Sequence, residues 1–182
     1  MIHIMRHGQT ETNRMGLIQG YVNVPLNETG KIQAISARER LYPIHFDVCY
    51  ASPLDRAQLT AKLALEGRDI PILTEDRLHE WDFGHNDGLP WNPETKLLIL
   101  TDNNESIEVV RERIESFMRE TIIPLHDQGK SVLVVAHAGI LLSMVNHCHG
   151  VPLEQFWANM PHNCEAYRLS DDEIEFIRNT GK

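Results

Sequence analysis

The chain has 182 residues, a formal charge of −9 and 42% apolar residues. One domain, residues 1–182, is expected from that length, and the acidic balance disfavours broad contact with nucleic acid or an anionic membrane, both of which need a basic face. No run approaches the roughly 20 apolar residues of a membrane span and nothing resembles a signal sequence, so a soluble cytoplasmic protein is expected.

Ile2 to Met5 is the first predicted strand, and it ends in Arg6-His7-Gly8-Gln9-Thr10. Ligands of open α/β sheets bind beyond the carboxyl ends of the strands, which makes this cation and imidazole candidates for a site. A strand-end histidine is also a common structural residue. Residues 29 to 41 read as a helix with Ile32, Ile35 and Leu41 near one face. The second strand, Asp47 to Ala51, runs into Ser52-Pro53-Leu54-Asp55-Arg56-Ala57. There Ser52 suits an N-cap, Pro53 the first helical position and Asp55 the positive helix end. Leu54, Ala57, Ala61, Ala64 and Leu65 continue at helical spacing. Helical side chains lean toward the N-terminus, so Arg56 reads either as a contact to an anion at the strand end or, equally, as a solvated surface arginine.

A third strand, Ile70 to Leu73, precedes Glu80-Trp81-Asp82-Phe83-Gly84. Apolar surroundings would hold Glu80 protonated near neutral pH, as a general acid requires, whereas a salt-bridged surface glutamate is the plainer alternative. Residues 82 to 104, rich in Asn, Asp, Gly and Pro, read as a short lid or loop excursion. Next comes a helix from Ser106 to Ile123, with Ile107, Val110, Ile114, Phe117, Met118 and Ile122 on one stripe and Pro124 as its stop.

Ser131 to Ala136 lacks polar alternation, as a parallel strand covered on both faces does, and it delivers His137 ahead of a helix from Gly139 to about His147. The tail reads as a hairpin, Ala166 to Leu169 and Ile174 to Ile177 about Ser170-Asp171-Asp172. The alternation predicts an α/β three-layer sandwich: a mostly parallel central sheet with helices on both faces and right-handed crossovers.

Three strand ends thus present Arg6 and His7, Arg56, and His137 toward one edge. One such coincidence is cheap; three in an acidic chain point to a phosphate pocket. The three cysteines, Cys49, Cys148 and Cys164, are widely spaced and odd in number, which reads as small buried hydrophobes in a reducing compartment. His147, Cys148, His149, His162 and Cys164 invite a metal reading. His147 and His149 would point apart on a helix, however, and no zinc spacing is present, so no metal is expected.

At this point the chain resembles the histidine phosphatase superfamily, which contains the cofactor-dependent phosphoglycerate mutases and many small phosphatases. The resemblance rests on Arg6-His7-Gly8-Gln9-Thr10 with Asn13, Gln19-Gly20, Pro25-Leu26-Asn27 and Gly30, then Ser52-Pro53-Leu54 with Arg56-Ala57 and Thr60-Ala61. It continues through Glu80 with Phe83-Gly84 and Gly88, Glu105-Ser106, and Val134-Val135-Ala136-His137-Ala138-Gly139. It implies a phosphoglycerate mutase-like fold, with His7 as nucleophile and Glu80 as proton donor. Arg6, Arg56 and His137 would grip phosphoryl oxygens, joined by Asn13 and Gln19 in substrate binding, with no metal and no cofactor. The implied partner is a small phosphorylated metabolite. Departures from the family pattern are Thr12, Ala136, Ala138, Asp87 and Asn104, none of which removes a charged group from the proposed phosphate contacts. The two alanines beside His137 do remove a usual hydroxyl neighbour.

Mutases of the family are longer and carry basic residues after the proton-donor glutamate, but His85 to Asn104 contains only Lys96 as a cation. Hydrolysis is therefore favoured over mutase-type phosphoryl transfer. A catalytically silent phospho-ligand binder is the third reading, and the joint presence of His7, Glu80, Arg56 and His137 speaks against it. Trp81, Phe83 and Trp91 are candidates to stack on a leaving group such as a sugar or nucleoside; resemblance to small bacterial phosphatases adds alpha-ribazole phosphate as one candidate substrate.

Overall fold

The central strand β4 (Val132–Ala136) is buried along its whole length, as its unbroken apolar run requires. In the computed structural model, which describes residues 1–102, 105–149 and 155–179 without the side chains of 147–149 and 176–179, β4 pairs in parallel with β1 (Ile2–Arg6) and β2 (Val48–Ala51). A short β3 (Ile72–Thr74) extends the sheet parallel to β2, and β5 (Ala166–Arg168) closes the other edge antiparallel to β1, giving the order β3-β2-β4-β1-β5.

Alternate strand residues face two separate cores. Ile2, Ile4, Val132 and Val134 pack with α5 (Ile107–Phe117) and α7 (Ala138–His149), whereas Met5, Cys49, Leu133 and Val135 pack with α2 (Glu28–Leu41) and α3 (Asp55–Ala64). The result is the expected three-layer α/β sandwich. No helix among the described residues is long and apolar enough to cross a membrane.

Four local readings need correction. The tail is not a hairpin: after β5, α8 (Asp171–Asn179) is helical. The Ser170 hydroxyl accepts from Glu173 N at 3.2 Å while the Glu173 carboxylate accepts from Ser170 N at 2.6 Å. That capping box outweighs the short apolar pattern of Ile174 to Ile177. On α2, Ile32 and Ile35 are 63% and 46% exposed, and the buried face is Gly30, Ala34, Ala37 and Leu41. Small residues there oppose Ala57, Ala61 and Ala64 of α3, so the two backbones pack closely.

Pro124 does not stop its helix either. A π-turn over Met118–Ile122 precedes α6 (Ile123–Asp127), which places Pro124 in a first turn, where no N–H is needed. Helix α3 begins at Asp55 and its N-cap is Leu54, so Ser52 is left for another role. Between β3 and α5, residues 82–102 form a 3₁₀ turn, Gly84–Asn86, and helix α4 (Pro93–Leu98), preceded in the chain by a short α1 (Glu11–Arg14). The Ile18 N to Leu89 O and Trp91 N to Gly16 O hydrogen bonds, 2.8 and 2.7 Å, fasten this excursion over the segment after α1.

Candidate active site

Parallel register aligns Arg6 of β1 with Ala136 of β4, so the next residues, His7 and His137, leave the sheet side by side. His7 N still donates to Ala136 O at 2.9 Å, and Ser52 N donates to Val135 O at 3.0 Å, which brings the end of β2 to the same point. The imidazole centroids of His7 and His137 lie 5.1 Å apart. Gly8 permits this loop to settle on α2: a Cβ there would stand 2.5 Å from Gly30 O. A Gly8→Ala change would therefore displace the histidine itself.

Hydrogen bonds define both imidazole tautomers. His7 Nδ1 donates to the Gly8 carbonyl at 2.7 Å, which leaves Nε2 with a lone pair. Arg56 Nε donates to His137 Nδ1 at 3.3 Å, so His137 Nε2 carries the proton and donates to Ser52 Oγ at 2.7 Å. Ser52 thus gives His137 the hydroxyl neighbour that Ala136 and Ala138 lack. Arg56, fully buried, also donates to Val22 O and Gly20 O at 2.8 Å each. These two contacts use one N–H from each of its terminal nitrogens.

The residues implied by the resemblance occupy two tiers. Arg6, His7, Asn13, Gln19 and Glu80 line a cleft of about 200 Å³, while Arg56 and His137, both fully buried, are not among its lining residues. Arg6 Nη1 donates to Pro161 O at 2.8 Å, but its Nε is buried without a partner. The Gln19 Oε1 atom accepts from Thr10 Oγ1 at 2.7 Å while Nε2 is likewise buried and unpartnered. Both orphan donors belong to residues that line the same cleft as His7, and an anionic acceptor would satisfy them. Asn13 Oδ1 accepts from Thr10 N at 3.3 Å and from Asn163 Nδ2 at 3.4 Å.

Burial holds both histidines well below the usual imidazole range, and the nearby Arg56 guanidinium adds to the effect. Both rings are therefore neutral at physiological pH. Glu80 is displaced the other way, because burial raises its pKa against the lowering influence of hydrogen bonds from Trp81 N and Gly139 N, at 3.0 and 3.4 Å, and of the arginines. A carboxyl shifted toward its protonated form thus lines the same cleft as a neutral imidazole. The plainer reading of Glu80 as a surface ion pair does not hold, since it is 5% exposed.

A stability consequence follows. Each histidine has a folded pKa below its unfolded value of 6.5, so its full contribution is present above about pH 6.5 and declines as the pH falls below it. Asp47, lowered to about 2 by the Ser131 N–H and Lys130, loses its contribution only at much lower pH. The melting temperature should fall between pH 7 and pH 5, and His137→Asn should flatten that slope. An unchanged slope in the variant would contradict a buried neutral His137.

The far wall of the cleft is apolar, formed by Leu17, Ile18, Phe83, Trp91, Trp157 and Met160. Trp81 is not part of it; at 0% exposure it belongs to the core, with Nε1 donating to Glu105 O at 2.6 Å. Trp157 takes the place that the sequence reading gave to Trp81, and their rings stack at 6.2 Å. Asn163, whose Nδ2 donates to His7 O at 2.9 Å, was also missed, since neither periodicity nor a spaced motif marks it. Of the candidate metal ligands, the side chains of His147, Cys148 and His149 lie outside the described residues, and among the described residues no three His, Cys, Asp or Glu gather as a metal site.

Comparison with known proteins agrees with this geometry. An adenosylcobalamin/alpha-ribazole phosphatase of Escherichia coli is 31% identical over 167 residues, covering 85% of this chain and 81% of its own. A 2,3-bisphosphoglycerate-dependent phosphoglycerate mutase of Methylobacterium is 31% identical over 195 residues, covering 94% and 92%. The crystal structure of the alpha-ribazole phosphatase from Shigella flexneri superposes with a TM-score of 0.77 at 26% identity, covering 94% of this chain and 91% of that one. Residues 2–177 match the histidine phosphatase superfamily (branch 1), and the chain belongs to that family as one of its metal-independent phosphatase-type enzymes.

Proposed function

We propose that the chain hydrolyses a small phosphorylated metabolite through a phosphohistidine on His7, with water rather than a second substrate as the final acceptor. The observation that carries this reading is the pairing of a lone pair on His7 Nε2 with unpartnered buried donors on Arg6 and Gln19 at the same cleft.

His7 Nε2 attacks phosphorus in line, the phosphorus–oxygen bond to the leaving group breaks, and the Glu80 proton passes to the departing oxygen. Glu80, now a carboxylate, accepts a proton from water as that oxygen attacks the phosphohistidine. The nitrogen–phosphorus bond breaks, its electron pair returns to Nε2, and inorganic phosphate leaves with Glu80 protonated again. Arg6, Gln19 and Asn13 hold the equatorial oxygens; Arg56 reaches the phosphate through its remaining N–H groups as His7 becomes phosphorylated, and His137 does so by turning its single Nε2–H from Ser52 to a phosphoryl oxygen.

Hydrolysis is favoured over mutase chemistry because the cleft wall opposite the phosphate is apolar and Lys96, the one cation of residues 85–104, sits over the Trp91 ring at 5.1 Å. Among the described residues of that wall, a carboxylate on the leaving group finds no cationic partner. The excursion of residues 82–104 acts as a lid in this reading, contributing Phe83 and Trp91 to the leaving-group side. Residues 1–182 act as a single domain, and a reducing cytoplasmic setting suits the buried free thiols of Cys49 and Cys164.

A single-turnover experiment with a ³²P-labelled phosphomonoester tests the whole sequence. Label should pass from the ester to an acid-labile, alkali-stable adduct on His7 and then to inorganic phosphate, even with 3-phosphoglycerate present. Label in bisphosphoglycerate would support the mutase alternative, and the lack of any adduct during turnover would overturn the covalent route.

A further inference from the structure

We infer that Arg113, fixed by Glu105, is a positioning residue that orients Glu80 for proton transfer. The inference rests on Glu80 being the proton donor, and it gives the Glu105-Ser106 motif a role that phosphate binding does not.

Arg113 lies on α5, is not among the residues that line the cleft, and meets the proposed proton donor through its main-chain carbonyl. Its guanidinium forms a two-pronged pair with the Glu105 carboxylate, Nε to Oε1 at 2.7 Å and Nη2 to Oε2 at 3.0 Å. Both side chains are largely buried, at 16% and 11% exposure, so the pair is not one of the solvated ion pairs that contribute little. The remaining donors converge on one short stretch: Nη1 reaches Arg77 O at 2.5 Å and His79 O at 2.9 Å, and Nη2 reaches Glu80 O at 3.3 Å.

The last of these contacts matters most. Glu80 C=O and Trp81 N–H belong to a single rigid peptide plane. Arg113 holds the oxygen of that plane, and the N–H on its opposite edge donates to the Glu80 carboxylate Oε1 at 3.0 Å. The guanidinium therefore sets the tilt of the group that anchors the catalytic carboxyl. Glu105 secures the residues that follow that plane: its carbonyl accepts from the Trp81 side-chain Nε1 at 2.6 Å, and its carboxylate accepts from Asp82 N at 3.2 Å. Residues 77 to 82 are thus clamped before and after Glu80 by one buried ion pair. Lysine cannot reproduce the arrangement, because a single ammonium lacks the planar fork that spans a carboxylate and three carbonyls.

A purely structural role would slow every substrate alike. A positioning role spares the phosphoryl-transfer step of substrates that need no proton, so the test compares the first-turnover release of the leaving group from 2,4-dinitrophenyl phosphate and from β-glycerol phosphate in wild type, R113K, R113A and E80Q. Both Arg113 variants should lose about 10- to 100-fold on the glycerol ester, part of the whole acid's contribution, and less than about threefold on the dinitrophenyl ester. The alkaline limb of the glycerol-ester pH profile should move upward, since losing the Trp81 N–H bond removes an influence that lowers the Glu80 pKa. In an E80Q background, R113K should add less than about twofold, because both changes remove the same step.

Equal losses on the two esters with an unmoved pH limb would overturn the inference, and R113K decides it if R113A does not fold. If E80Q itself fails to discriminate between the esters, the proton-donor reading has failed instead, whatever Arg113 does.

Discussion

His7→Ala should reduce turnover of an aryl phosphate by on the order of 10⁴-fold or more, because His7 carries the one imidazole among the described residues of the cleft wall. His137 is the nearest imidazole, but its Nδ1 accepts from Arg56 and its Nε2 donates to Ser52. Its lone pair is therefore already engaged. Asn163 and Gly8 hold the backbone and ring of His7 independently of phosphate, so the vacated site should persist in the variant and still bind inorganic phosphate or vanadate. Equal residual rates in the variant and the wild type would sink the nucleophile assignment; loss of both rate and anion binding would show that His7 also builds the site.

The second large effect concerns Glu80→Gln. Glutamine keeps the shape and its one amide oxygen can accept the Trp81 N–H, but its NH2 cannot accept the Gly139 N–H and has no proton acidic enough to transfer to a leaving oxygen. The rate on alkyl phosphates, whose leaving oxygen must be protonated, should fall by roughly two to four orders of magnitude. Dinitrophenyl phosphate, with an oxygen that departs as an anion, should keep most of its phosphoryl-transfer rate.

The pH dependence follows from the direction of the Glu80 shift. Burial raises its pKa, so the proton-donating form survives above the usual carboxylate range and is lost as the pH rises through the raised value. The wild-type rate on alkyl esters should decline along that limb, and Glu80→Gln should abolish the limb while leaving the substrate's own phosphate ionisation visible. His7, held well below 6.5, imposes its loss only on the acid side. An alkyl-phosphate limb that persists in Glu80→Gln would assign the proton to another group.

Much of the site was legible because its chemistry is tied to strand ends. Apolar runs marked β1, β2 and β4, and the residue after each run was Arg6-His7, Ser52 or His137; parallel pairing then necessarily gathered them. Glu80 was legible only as a candidate, since its value as an acid depends on burial, which neighbouring residues in sequence do not supply. The misreadings have a common origin in short patterns. Ile174 to Ile177 satisfied a strand template, while the decisive signal was the Ser170 and Glu173 pair three residues apart. On α2 the bulky Ile32 and Ile35 looked like the core face, but close helix packing selected glycine and alanine.

From sequence alone, strands β1 to β4 with helices α2, α3, α5 and α7 followed in order, and Arg6, His7, Arg56 and His137 stood out as site candidates, because period and punctuation are local properties of the chain. Only the tertiary structure decided the directions of the pKa shifts and the tautomers of the site, since a carboxyl shifts upward and an imidazole downward through desolvation by residues distant in sequence. It alone also placed Trp157 and Asn163 at the cleft, removed Trp81 to the core, and joined Arg113 to the Glu80 peptide, contacts that arise when separate strand ends and loops are packed against one another.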